Sequence, residues 1–256
     1  MGKSKNIITV REPGKFRPTY ENFEVECPEC KYWNIYNRAT DLQSFDLIAG
    51  REVTCLNEKC KQVFWIGGDL VCPKWKLILL ENHELKSKKL YSNCVLNACK
   101  AFEMYFAHYL RVTLVYDLIK EDDDIETEKL NELLKLLYER TRKMTFHKMR
   151  SIFMNFVLKE IRPKKFSESE KLINEISDHS NKKPKVSEIK KSKNQKLADL
   201  LIRLGKTEIN ILRNNVVHKN GYRPTLMEIE EADNEAANIL FGLNRIQKLE
   251  KSLLRL

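Results

Sequence analysis

Apolar residues recur at helical intervals along most of this chain. Val95, Cys99, Phe102, Phe106, Leu110 and Leu114 fall three or four positions apart, more than once, and predict a long helix. Leu130, Leu133, Leu134, Leu137 and Tyr138 form a second stripe, and Met149, Ile152, Phe153, Phe156 and Val157 a third. Leu197, Leu200, Leu201, Leu204, Ile211 and Leu212 mark a further major helix, and Ile229, Ala232, Ala236, Ile239, Leu243 and Ile246 the last. Helices that each carry one apolar stripe bury it against one another, so the chain from about residue 81 to 256 is expected to be a helical bundle. The run from Tyr105 to Ile119 is the most apolar, but it holds His108, Arg111 and Asp117 and reads as a core helix, not a membrane span.

The pattern is different in the first 80 or so residues. Tyr32, Trp33, Ile35 and Tyr36, and later Val63, Phe64, Trp65 and Ile66, are short aromatic and β-branched runs that read as strands, with Gly67-Gly68 as a turn. Cys27 and Cys30 precede the first run; Cys55 and Cys60 precede the second. Each pair can offer two thiolates to one ion, and four thiolates in a tetrahedral array select zinc. A closed four-thiolate shell leaves no position for a reacting water, so the metal is expected to be structural. It would replace the core that so small a segment cannot build alone. The whole resembles a zinc ribbon from about Phe23 to Leu70. The four-residue spacer of the second pair departs from the commonest ribbon spacing, and Cys72-Pro73 offers a substitute ligand. Two other readings stay open: unliganded buried cysteines, and a ribbon whose Lys31, Arg38, Arg51, Lys59 and Lys61 interleave with aromatics to hold single-stranded nucleic acid.

Composition narrows the partners. The 256 residues carry a formal charge of +10 and a pI near 9.1, which favours polyanions. Glu121-Asp-Asp-Asp124 reads as an acidic link. Residues 163–196 read as a mobile lysine-rich insertion, with seven lysines against one glutamate between Lys182 and Lys196. Seven cysteines, with neither an apolar leader nor a span, point to a reducing compartment, no membrane and a cytoplasmic location.

The densest chemistry lies in Arg213-Asn-Asn-Val-Val-His218. Arginine is always charged and fits phosphate with a planar fork of donors; histidine moves a proton near neutrality. One group to hold an anion and one to shuttle protons is what metal-free cleavage of an RNA phosphodiester requires. Lys219 to Pro224 reads as a helix stop and loop, and Thr225-Leu-Met-Glu228 has the form of a capping box opening a new helix.

The line Ile211 to Thr225, with a long helix after it, resembles the HEPN family: all-helical domains carrying Arg, a polar residue, three more residues and then His. The likeness is tight over Arg213 to Thr225 and looser, at the level of helix pattern, from Leu85 to Leu256. It implies a mainly α chain, an HEPN-like bundle preceded by a small β-rich zinc ribbon. It further implies a metal-independent endoribonuclease acting on RNA, with Arg213, Asn214 and His218 as catalytic residues, a homodimer that joins two motifs in one cleft, and a role in antiviral defence or as a toxin-like stress response. At 100° per residue Arg213 and His218 lie about 140° apart on one helix. Either the helix loosens before Gly221 or two copies meet. Some family members are silenced through a tyrosine two residues after the histidine; here that position is Asn220, and Tyr222 follows two residues later. The alternative class is a non-catalytic adaptor, with a ribbon for a protein or nucleic-acid partner and a helical dimerisation domain.

Overall fold

A computed structural model describes residues 22–37, 51–66, 73–118, 127–180, 182–247 and 249. The Gly67-Gly68 turn, Arg38, Cys72 and the acidic link at Glu121–Asp124 lie outside the described residues. The chain is mainly helical with a small β region near its N-terminus, and it divides between Lys74 and Trp75 into two compact units. The sequence pattern placed that division near residue 80. It falls earlier because a helix begins at Lys74 and its Trp75 is fully buried in the helical core.

The first unit is two antiparallel hairpins. β1 (Asn22–Glu26) pairs with β2 (Trp33–Asn37), and β3 (Arg51–Thr54) with β4 (Val63–Ile66). β2 and β4 are the aromatic runs; β1 and β3 carry too few apolar residues to read as strands alone. The registers Glu26↔Trp33 and Thr54↔Val63 place one cysteine turn at each hairpin tip. Each turn closes through a left-handed lysine, Lys31 at φ 59° and Lys61 at φ 51°. Buried Asn34 ties the hairpins together: its amide donates to the Tyr32 carbonyl at 3.0 Å and accepts from the Leu56 N–H at 2.6 Å. The Tyr36 hydroxyl donates to the Thr54 carbonyl at 2.7 Å. Cys27, Tyr36, Val53, Cys55 and Phe64 make the small core.

The second unit contains α1 (Lys74–Ser87), α2 (Tyr91–Arg111), α3 (Thr127–Thr141), α4 (Phe146–Leu158), α5 (Phe166–Asn174), α6 (Val186–Ile189), α7 (Gln195–Lys206), α8 (Ile209–His218) and α9 (Leu226–Gln247). α2 runs on into a buried π-helical turn at Val112–Tyr116. It is the central helix and packs against α4, α8 and α9. Its aromatics meet those of α4: Phe153 stacks on Phe106 at 5.0 Å between ring centroids and takes Tyr109 edge-on at 4.9 Å. Trp75 sits edge-on to Tyr105 and Phe241 at 5.3 and 5.2 Å. Such pairs add to area burial through the ring quadrupoles. α9 approaches α7 closely at Gly242, where a Cβ would stand 2.9 Å from the end of the Leu200 side chain, so a larger residue would require that side chain to shift. Among the described residues no helix is long and apolar enough to cross a membrane.

Three features differ from the sequence pattern. The stripe from Leu197 to Leu212 is two helices, not one. Thr207 turns extended (ψ 133°), its hydroxyl accepts from the Ile209 N–H at 3.4 Å, and buried Arg150 donates to the freed carbonyls of Leu204 and Thr207. A guanidinium at a helix C-terminus satisfies carbonyls that have no helical partner. Ile211 and Tyr138, expected in the core, are 55% and 60% exposed. The lysine-rich stretch at 163–196, expected as a mobile insertion, instead builds α5, a 3₁₀ turn at Ile176–Ser180 and α6. Ile173, Ile176, Pro184 and Ile189 are its buried anchors, too widely spaced among lysines to register as a periodic pattern.

Candidate functional site

Cys27, Cys30, Cys55 and Cys60 converge between the two hairpin tips, with all four sulfurs within 4.8 Å of one another. Cys27 and Cys60 sulfurs are 3.9 Å apart, and Cys30 and Cys55 sulfurs 3.7 Å. A tetrahedral zinc with bonds of about 2.3 Å requires about 3.8 Å between thiolates, whereas a disulfide requires about 2 Å. The donor set therefore fits zinc. The long second spacer is accommodated locally. Asn57 takes the place in its turn that Cys27 takes in the first, since the Lys61 N–H bonds the Asn57 carbonyl as the Lys31 N–H bonds that of Cys27. Cys55 stands two residues before it. The Asn57 amide also donates to the Cys30 sulfur at 3.7 Å. The Cys30 thiol is held down to about 7, chiefly by the Tyr32 backbone N–H, while burial pushes Cys55 up. A metal cation overrides such differences by deprotonating every thiol it binds.

In the helical unit, Arg213, Asn214 and His218 all lie on α8. Ile209 is buried, while Leu212 and Val216 pack against the cluster of Cys94, Val95 and Ile229, which fixes the inward face. Asn214 and His218 are consequently exposed, and Arg213 is half-buried toward α2. Arg213 Nη1 donates to the Asn214 side-chain oxygen at 3.0 Å. No ion pair ties Arg213 to Glu208 or Glu228 among the described residues. The acid whose charge it feels is Glu103 on α2, whose carboxyl burial pushes up while Arg213 pulls it down. α8 stays helical through His218, and the Lys219 N–H still bonds the Asn215 carbonyl at 3.0 Å. The helix does not loosen, so within one chain Arg213 and His218 point about 140° apart.

The expected helix stop and restart are both present. Gly221 has φ 77°, a conformation that disfavours any side chain. The capping box forms: the Thr225 N–H donates to Glu228 at 2.8 Å and the Glu228 N–H to the Thr225 hydroxyl at 3.3 Å. Tyr222 donates to the other Glu228 oxygen at 2.6 Å, and that bond raises its hydroxyl to about 12.

Two features near α8 are absent from the sequence reading. A groove of about 770 Å³ runs along the α8 side that carries Leu212 and Asn215, but neither Arg213 nor His218 lines it. Its Glu208, Glu228, Glu231 and Glu235 outnumber Arg203 and Lys206, which suits it poorly to a phosphodiester. The second feature is His147, which bridges Arg150 (3.0 Å from its Nδ1) and Asn210 (3.2 Å from its Nε2). A guanidinium can only donate, so neutral His147 accepts at Nδ1 and carries its proton on Nε2, which faces the Asn210 side-chain amide. The link holds the first turn of α8 to α4 across 63 residues of sequence, a separation that no local motif reports.

Comparison with family models, with curated proteins and with solved structures finds no match in any of the three.

Proposed function

We propose that the helical unit is a metal-independent endoribonuclease of the HEPN type, active as a homodimer. The observation that carries this reading is the end of α8, where an exposed imidazole at His218 follows a guanidinium–amide pair, Arg213 and Asn214. His218 acts as general base on the ribose 2′-hydroxyl, or as acid on the leaving oxygen. Arg213 offsets the extra negative charge of the phosphorane-like transition state, and Asn214 orients the guanidinium. The 140° separation is resolved when His218 of one protomer meets Arg213 of its partner. Ile211, Val217, Leu226 and Met227, all at least 45% exposed on α8 and at the start of α9, supply apolar surface for that contact. The ribbon holds one structural zinc through Cys27, Cys30, Cys55 and Cys60, and that ion takes no part in cleavage.

The test is RNA cleavage in magnesium-free buffer by zinc-loaded protein. Products ending in a 2′,3′-cyclic phosphate are expected, with at least about a hundredfold loss in His218→Ala and in Arg213→Ala. DNA, which has no 2′-hydroxyl, should resist. Cleavage by the double variant at the wild-type rate would rule the mechanism out. A non-catalytic adaptor is the second reading, favoured by the field of Glu103 on Arg213; RNA binding or dimerisation without cleavage would select it.

A further inference from the structure

The segment from Lys182 to Lys196 takes no part in the mechanism above, yet positive charge is densest there, with seven lysines against Glu188. It is pinned from beneath. The Asn155 side-chain amide on α4 donates to the carbonyls of His179 and Lys182 at 3.0 and 2.9 Å, and Pro184 and Ile189 are buried. With its anchors turned inward, the segment presents Lys182, Lys185, Lys190, Lys191, Lys193 and Lys196 to solvent. Among the described residues none of these lysines is paired with a carboxylate, and Glu188 is engaged by the Lys185 backbone N–H at 2.7 Å. Two depressions flank the last turn of α4. One, about 390 Å³, is lined by Lys159, His179, Lys182 and Lys183 together with Asp178 and Glu188; the other, about 380 Å³, by Arg162, Lys193 and Asn194 together with Glu160, so bases outnumber acids in each.

We propose that this lysine face is a binding surface for the phosphate backbone of single-stranded RNA. Unpaired lysines on a fixed scaffold gain affinity by displacing the counterions condensed on a polyanion. A surface broken by two clefts suits a strand better than a flat bilayer. Membrane attachment also calls for apolar side chains to insert, and in this segment only Val186 among the large apolar residues is exposed. Exposed aromatics are missing from the segment, so the contact reads charge and not base identity. The inference rests on the ribonuclease reading only for its biological use, since binding needs no cleavage.

The experiment uses the full chain carrying His218→Ala, so that RNA stays intact, and measures its affinity for oligouridine across a salt series. Replacing Lys182, Lys190, Lys191 and Lys193 together by Glu is expected to weaken binding at least about tenfold near 0.1 M salt and to flatten the salt dependence. Circular dichroism checks that helicity is kept. If it is not, Lys190→Gln with Lys191→Gln, both exposed and away from the Asn155 anchor, should reduce the logarithmic salt slope by about 1.4. Unchanged affinity and slope in a folded variant would overturn the surface, as would an absence of RNA binding. Phosphatidylserine vesicles bound in preference to RNA, and lost with the same lysines, would reassign it to membranes and overturn the RNA proposal. The two readings fail separately: a wild-type chain that cleaves RNA while the lysine variant binds undiminished removes only the surface, and lysine-dependent binding without cleavage removes only the nuclease.

Discussion

His108 and His218 show how placement decides what an imidazole does. His108 is buried in α2, where burial first and the charge of Arg111 next hold its pKa down to about 3. Its folded value lies below its ordinary value of 6.5, so below that pH the unfolded chain binds more protons and stability falls on acidification. At about 1.4 kcal/mol per pH unit, His108 alone should remove about 2 kcal/mol by pH ~5, above the range where carboxylates titrate. Burial also lowers His147, which adds to the same trend. Urea unfolding between pH ~7 and ~5 checks this, and a flat stability profile would contradict it. His218, by contrast, is exposed at the end of α8, open to the substrate that the proposed mechanism calls for. The continuous helix turns Arg213 and His218 to different sides of α8, whereas the helix stop at Gly221, the Thr225–Glu228 cap and the cysteine pairs could be read from the chain because each is fixed by spacing within a few residues. The Asn210–His147–Arg150 link could not, because its partners come from helices far apart in sequence.

At the scale of elements, periodicity identified the long helices and missed their interruptions. Nothing in the stripe Leu197, Leu200, Leu201, Leu204, Ile211 and Leu212 reports the break at Thr207, because helical phase is kept across the gap. The break depends on Arg150 arriving from α4. Short strands were read where aromatics cluster and missed where they do not, since β1 and β3 are strands by virtue of their pairing with β2 and β4. The hairpins have so small an apolar core that a zinc ion held by the four cysteines would supply much of their folding energy. Removing zinc with a chelator, or replacing Cys55 by Ser, is therefore expected to unfold the hairpin unit while the helical far-ultraviolet signal is largely retained. Protease sensitivity confined to residues 22–66, read by mass spectrometry, checks this. A ribbon that stays protected after the metal is stripped would show that the hydrogen bonds of Asn34 and Tyr36 suffice without it.

For the whole molecule, the +10 charge is unevenly placed. Lysines crowd the segment around α6, while carboxylates line the groove beside α8. On the proposed reading a polyanion would be drawn to the lysine face of the helical unit and repelled from that groove, and the exposed tip of α8 would meet RNA within a dimer. The proposed mechanism requires two chains to share one active centre. Co-expression of Arg213→Ala and His218→Ala chains, followed by purification of the mixed dimer and assay on RNA beside each variant alone, tests this most directly. Each homodimer should be inactive and the mixed dimer should recover part of the wild-type rate, because it retains one intact pairing of His218 with the partner's Arg213. An inactive mixed dimer beside an active wild type, or full activity in either single variant, would contradict a shared site.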